Sequence, residues 1–149
     1  MQLLICGIPA SGKSEFARWL VKEHGYVRCP AGEEPGANFL EEIAQARRID
    51  QNVVVDWGFP PQLIGQVREL IADGLSPWWF DGDRDAAFQS FVSRPDHPAA
   101  REDWDRQLSL INDGWPEIEA AFAGRILEVV HSGPTYMAPS ELFELIQPA

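Results

Sequence analysis

A three-layer α/β sandwich, with a five-stranded parallel sheet covered by helices on both faces, is the fold class predicted, and three observations predict it. Short apolar runs at 2–6 and 52–56 have strand length and lack the polar alternation of a half-exposed sheet, as expected of strands buried on both faces. Segments of helical periodicity alternate with such runs along the chain. Between the first run and the first helix stands Gly7-Ile8-Pro9-Ala10-Ser11-Gly12-Lys13-Ser14, a glycine-bearing strand-to-helix turn.

The elements follow in order. Gln2 to Cys6 is the first strand, ended by Gly7. Lys13 to about His24 is a helix with Phe16, Trp19 and Leu20 on one face and Gly25 as its stop. A brief strand is expected at Tyr26 to Arg28, followed by the breaker-rich loop Pro30 to Gly36. Phe39 to Ile49 recovers helical spacing through Leu40, Ile43 and Ala44. Asn52 to Asp56 is the clearest strand, because three consecutive valines end abruptly at Asp-Trp-Gly, and it belongs in the sheet centre. Pro60 or Pro61 starts a helix that runs to Asp73-Gly74. A strand at Pro77 to Phe80 leads through Asp81-Gly82-Asp83 into a helix ending near Arg94. One or two helices cover Trp104 to Ala123, interrupted near Gly114 and Pro116. Ile126 to Val130 is the last strand, and Ser140 to Ile146 a closing helix with Ser140 as N-cap. Right-handed crossovers then leave few topologies.

With 149 residues the chain fits a single domain, 1–149, without linker or repeat. Its formal net charge of −11 argues against duplex nucleic acid as a partner, since that affinity comes largely from Lys and Arg neutralising phosphates. The two cysteines, Cys6 and Cys29, have no metal-ligand spacing and read as small apolar residues in a reducing compartment. No run approaches the roughly 20 apolar residues that cross a bilayer, and no basic region precedes the first apolar stretch. A cytoplasmic protein with no membrane partner is expected; the oligomeric state is left open.

The chemistry concentrates in the turn. Glycines let successive backbone N–H groups converge on phosphate oxygens without a Cβ in the way, and the helix N-terminus adds a favourable dipole. Gly7, Pro9, Ala10, Ser11, Gly12, Lys13 and Ser14 are therefore assigned to a nucleoside triphosphate, with ATP as the expected one. Lys13 supplies a mobile positive charge to the β- and γ-phosphates, and the Ser14 hydroxyl is a ligand for Mg2+. A glycine-rich turn with no ligand would explain the glycines but not the adjacent Lys-Ser pair. Asp56 ends a strand at the carboxyl edge of the sheet, beside the expected phosphates. It is assigned either to a Mg2+-bound water or to the proton of an attacking hydroxyl, against the bland alternative of a turn-forming Asp before Gly58.

In its element order and its GxxxxGK[ST] loop the chain resembles the P-loop small-molecule and nucleotide kinases. That resemblance implies the sheet order 2-3-1-4-5 and an arginine-bearing helical lid between the fourth and fifth strands, here residues 94–116. Arg84, Arg94, Arg101 and Arg106 fall between the fourth and fifth strands, the last three within 94–116, and Arg94 and Arg101 are by position most similar to the lid arginines that stabilise the transferring phosphoryl group. Acidic neighbours such as Asp96, Glu102 and Asp105 offer each of them an ordinary ion pair instead. His97 has no partner spacing and reads as a polar loop residue.

The chain also departs from the family. Where many hydroxyl kinases place an Asp after the second strand, it reads Arg28-Cys29-Pro30. Asp56 then has to act as base, or Glu33 or Glu34 does. Alternatively Arg28, with Arg47 and Arg48, binds an acidic or phosphorylated acceptor. Trp57 and Phe59 follow Asp56 and are expected to face the acceptor, where they would stack on a flat base or sugar. Trp78 and Trp79 read as core, and Trp104 and Trp115 as packing within the lid helices. The chain has neither an Asn-Lys-x-Asp guanine signature nor an Asp-x-x-Gly switch. The expected activity is ATP-dependent phosphoryl transfer to a small-molecule, nucleoside or nucleotide acceptor, with Mg2+. The alternative is a P-loop ATPase or nucleotide-dependent switch acting on a protein partner.

Overall fold

The computed structural model describes residues 1–31, 36–94 and 99–148. Their order is β1 (Gln2–Gly7), α1 (Lys13–His24), β2 (Val27–Ala31), α2 (Phe39–Ile49), β3 (Val53–Trp57), α3 (Ile64–Ala72), β4 (Ser76–Gly82), α4 (Arg84–Val92), α5 (Ala100–Asp113), α6 (Trp115–Ala121), β5 (Ile126–His131), β6 (Thr135–Tyr136) and α7 (Pro139–Ile146), with a 3-10 turn at Pro61–Leu63 before α3. The sheet order is β2-β3-β1-β4-β5-β6. The expected order 2-3-1-4-5 is present, and the expected count of five strands is corrected to six. The addition is antiparallel: Val130 faces Tyr136 and His131 faces Thr135 across a hairpin. Two residues carry too little pattern to announce a strand.

Successive residues of the central strands feed two cores. From β1, Leu3 and Ile5 join Phe16 and Leu20 of α1 and Leu142 and Ile146 of α7. Leu4 and Cys6 point the other way, into the core closed by α2 to α6. Strand β3 splits likewise, with Val54 toward α1 and Val53, Val55 and Trp57 away from it. This alternation decides the site, because Asp56 lies two residues beyond Val54 and so shares the α1 face.

β1 and β4 approach closely where the glycine turn begins. A Cβ on Gly7 would stand 2.2 Å from the Phe80 carbonyl oxygen, so only glycine fits, and the Ile8 amide then donates to that oxygen at 3.0 Å. Boundaries shift modestly from expectation: β2 extends to Ala31, and α7 begins at Pro139 with Ala138 as its N-cap. Ser140 makes no cap hydrogen bond, since proline at N1 places the helix start one residue earlier. No helix among the described residues is long and apolar enough to cross a membrane.

Candidate functional site

The turn from Gly7 to Ser14 closes on itself through Lys13. Its Nζ donates to the carbonyl oxygens of Ile8 at 2.8 Å and Gly7 at 3.3 Å, and to Ser11 Oγ at 3.4 Å, while Ser11 Oγ donates to the Ile8 carbonyl at 2.8 Å. Ala10 and Gly12 both sit at positive φ, 58° and 84°, which curls the loop around the start of α1. Burial lowers the Lys13 pKa from 10.5 to about 8, with the Asp56 charge opposing the fall and Arg94 adding to it. The same burial raises the Cys6 thiol well above its ordinary value, so Cys6 is an inert core residue.

Ser14 and Asp56 meet as the strand alternation requires. Ser14 Oγ donates to Asp56 Oδ2 at 3.2 Å across 42 residues of sequence. A second partner claims the same carboxylate: Arg28 donates from Nε to Oδ1 at 2.8 Å and from Nη2 to Oδ2 at 2.7 Å. The Cα atoms of Arg28 and Val54 are paired in register between β2 and β3, so Arg28 rises on the same sheet face as Asp56 and reaches it diagonally. Asp56 is 5% exposed, and the hydrogen bonds it accepts hold the Arg28 pKa above its ordinary value.

Above this cluster lies an open cleft of about 860 Å³, within the size range of small-molecule sites of roughly 300–1,000 Å³. Pro9, Ala10, Ser11, Gly12, Lys13 and Ser14 form its floor. Arg18, Tyr136, Met137 and Pro139 line it, as do Arg94, Asp103, Gln107, Ala31 and Gly58; Asp56 and Arg28 are not among the lining residues. Tyr136, the residue that ends β6, donates its hydroxyl to the Ala10 carbonyl at 2.9 Å and so braces the loop from outside.

The arginines separate. Arg94 lines the cleft, with its guanidinium 5.4 Å from the Phe91 ring centroid. Arg101 is exposed, stacks 5.1 Å over Phe88, and is not among the residues lining the cleft. Arg106 lines a small adjoining cavity with Gly7, Lys13 and Gly58, and donates to Asp103. Gln107 donates to the other oxygen of Asp103 at 3.1 Å. Asp103, Arg106, Gln107 and Leu110 are spaced i, i+3, i+4 and i+7, a helical stripe legible in the sequence as the face α5 turns to the loop.

Two expectations are corrected. Trp57 and Phe59 do not face an acceptor: both are buried, Trp57 packing edge-on against Phe39 and Phe59 because it follows Asp56 and must point to the opposite sheet face. Arg47 does not stand with Arg28; it donates to Gln2 Oε1 and the Asp73 carbonyl at 2.6 Å each, at the amino ends of the central strands. Trp79 is core, as expected, while Trp78 is half-buried against the other core; Trp104, expected to pack within the lid helices, is buried against Phe88 and Phe91 of α4. Glu33, Glu34, Asp96 and His97 lie outside the described residues.

No family model matches the chain, and no curated protein matches it in sequence. Its fold has solved counterparts. Deoxyadenosine kinase from M. mycoides, whose structure contains bound dATP, superposes with a TM-score of 0.59 at 14% identity, over 98% of this chain and 97% of that one. At that identity the likeness speaks for architecture alone, and it agrees with the strand order and the glycine turn: the chain has a P-loop kinase fold.

Proposed function

We propose that this chain transfers the γ-phosphoryl group of ATP to a small-molecule, nucleoside or nucleotide acceptor. The observation that carries the reading is that Lys13 and Ser14 line a cleft that Arg94 also lines, with Asp56 of β3 directly behind Ser14, whose hydroxyl donates to it. Lys13, now donating to its own loop, turns its ammonium to the β- and γ-phosphates while backbone N–H groups of residues 9–14 hold the remaining oxygens. Arg94 supplies positive charge where negative charge spreads over the transferring group.

The donor set fits Mg2+, a hard cation usually held by one or two carboxylates together with substrate phosphates. Ser14 Oγ and the Asp56 carboxylate are 3.2 Å apart, close enough to serve one ion or its water shell. Mg2+ there would neutralise phosphate charge. The acceptor oxygen forms a bond to the γ-phosphorus as the bridging bond to ADP breaks, and its proton passes to Asp56 or to solvent. The surroundings we infer are a reducing cytoplasm, in keeping with Cys6 and Cys29 both being free thiols.

ADP formation measured across a panel of nucleosides, nucleotides, sugars and amino sugars tests the reading. Acceptor-dependent turnover at least tenfold above the acceptor-free rate is expected. The same slow rate with every acceptor would leave the alternative, an ATPase or switch, in possession of the site.

A further inference from the structure

Within the kinase reading, on which this inference rests, we infer that Arg28 is the receptor for an oxyanion carried by the acceptor, and that its grip on Asp56 is the resting state from which that oxyanion draws it. An ionised carboxylate offers about four lone-pair sites. Arg28 takes two of them on Asp56 and Ser14 Oγ a third. In that arrangement Asp56 is poorly placed both to hold a cation's water and to receive a hydroxyl proton. One site is left, and either role is favoured when Arg28 lets go.

A released Arg28 needs another partner. Its side chain is 24% exposed, so it is neither sealed in the core nor fully in water. A partly buried guanidinium stripped of its carboxylate is costly. Among the described residues the carboxylate whose charge reaches the adjacent Cys29, besides Asp56, is Glu42 of α2, which is exposed, and an exposed pair returns little. A carboxylate or phosphate on the acceptor restores the planar two-bond contact that the guanidinium makes now. The acceptor class is therefore one bearing a phosphate or carboxylate within reach of β2, rather than a neutral sugar or nucleoside.

The arrangement also couples two ligands. Arg28 and a divalent cation at Ser14 and Asp56 repel, so loading one favours release of the other. Coupling is reciprocal: an oxyanion that removes Arg28 must tighten divalent-cation binding by the factor by which the cation tightens the oxyanion.

The test uses the full chain loaded with a non-hydrolysable ATP analogue. Mg2+ is titrated calorimetrically with and without inorganic phosphate, for wild type, Arg28→Gln and Arg28→Lys. In wild type, phosphate should tighten Mg2+ at least threefold. Arg28→Gln should bind Mg2+ about tenfold tighter than wild type without phosphate and show no response to it. Arg28→Lys, which keeps the charge without the planar fork, should fall between and serves as the readout should Arg28→Gln not fold. Additive binding of Mg2+ and phosphate in wild type, or variants with unchanged Mg2+ affinity, would overturn the inference. Matched acceptors, each neutral compound beside its phosphate and its carboxylate, then separate the two oxyanion sources. Transfer to the neutral members alone would sink the acceptor class while leaving the kinase reading intact. Absence of transfer to any member would count against the kinase reading, with the role of Arg28 judged by the calorimetry.

Discussion

Arg84 holds the carboxylate of Asp81 at both oxygens, Nε to Oδ1 at 3.2 Å and Nη2 to Oδ2 at 3.1 Å, while the Trp79 indole N–H donates to the same Oδ2 at 2.8 Å. The guanidinium also donates to Asn112 Oδ1 at 2.8 Å and lies 5.6 Å from the Trp115 ring centroid. One side chain thus ties the end of β4 to the C-terminus of α5 and the start of α6, anchoring the segment expected to form the lid. Breaking a buried pair costs about 3–5 kcal/mol, and since Arg84 is about one-third exposed, Arg84→Met is expected to cost nearer 2 kcal/mol. For a chain of this size that lowers Tm by about 4–8 °C in a thermal melt. Combined with Asp81→Asn the loss should be smaller than the sum of the two single losses, because the second change removes the charge the first one strands.

Arg94 and Arg101 are separated by the same measurement. Arg94→Ala is expected to lower phosphoryl transfer by about 10²-fold or more, as removal of a group aimed at developing charge does. Arg101→Ala, which among the described residues loses a stacking contact on Phe88, should stay within about twofold of wild type, as exposed pairs contribute little. Equal losses in steady-state ADP formation would show that the lid brings both to the phosphates.

The lowered pKa of Lys13 makes nucleotide affinity depend on pH. Phosphates favour the ammonium, which is half populated near 8, predominates below it and is lost above it. ATP affinity measured by calorimetry should therefore decline as pH rises past about 8, by at most about tenfold per unit. Proton uptake on binding should appear there when buffers of different ionisation enthalpy are compared. Lys13→Arg should abolish the slope, because its guanidinium stays charged. The stability of the free protein moves in the opposite direction. Between about 8 and 10.5 the unfolded lysine binds a proton that the folded one has released, so the Lys13 contribution to stability rises with pH across that window.

Gly7 and Gly25 should respond unequally to alanine. At Gly25, φ is 66° and nothing lies within 4 Å of a new Cβ, so Gly25→Ala pays only the left-handed backbone, about 1–2 kcal/mol. At Gly7 a Cβ meets the Phe80 carbonyl oxygen at 2.2 Å, so β1 and β4 must part or shift; the expected cost is about 3 kcal/mol or more. Urea unfolding of the two variants reads both values. Comparable midpoints would mean that the close approach at Gly7 is easily relaxed.

Much of this molecule was legible before its fold was known, for local reasons. Val53 to Val55, Lys13 to His24 with Gly25 beyond it, and Phe39 to Ile49 each announce their element through a pattern contained within a dozen residues. The glycine turn names its own neighbours, since Lys13 and Ser14 follow Gly12 directly and the helix they open is set by the same few residues.

Partnerships were decided only by tertiary structure. That Arg28 grips Asp56, that Arg84 grips Asp81 at the foot of α5, and that Tyr136 braces Ala10 across 126 residues all depend on which strands lie side by side. Strand alternation sends Asp56 toward Ser14 and Trp57 into the opposite core, but which face is which follows from where α1 packs. A side chain's chemistry is written in its own position. The charge it meets is set by register and crossover between segments far apart in the chain, and those arise when the two cores close on the sheet.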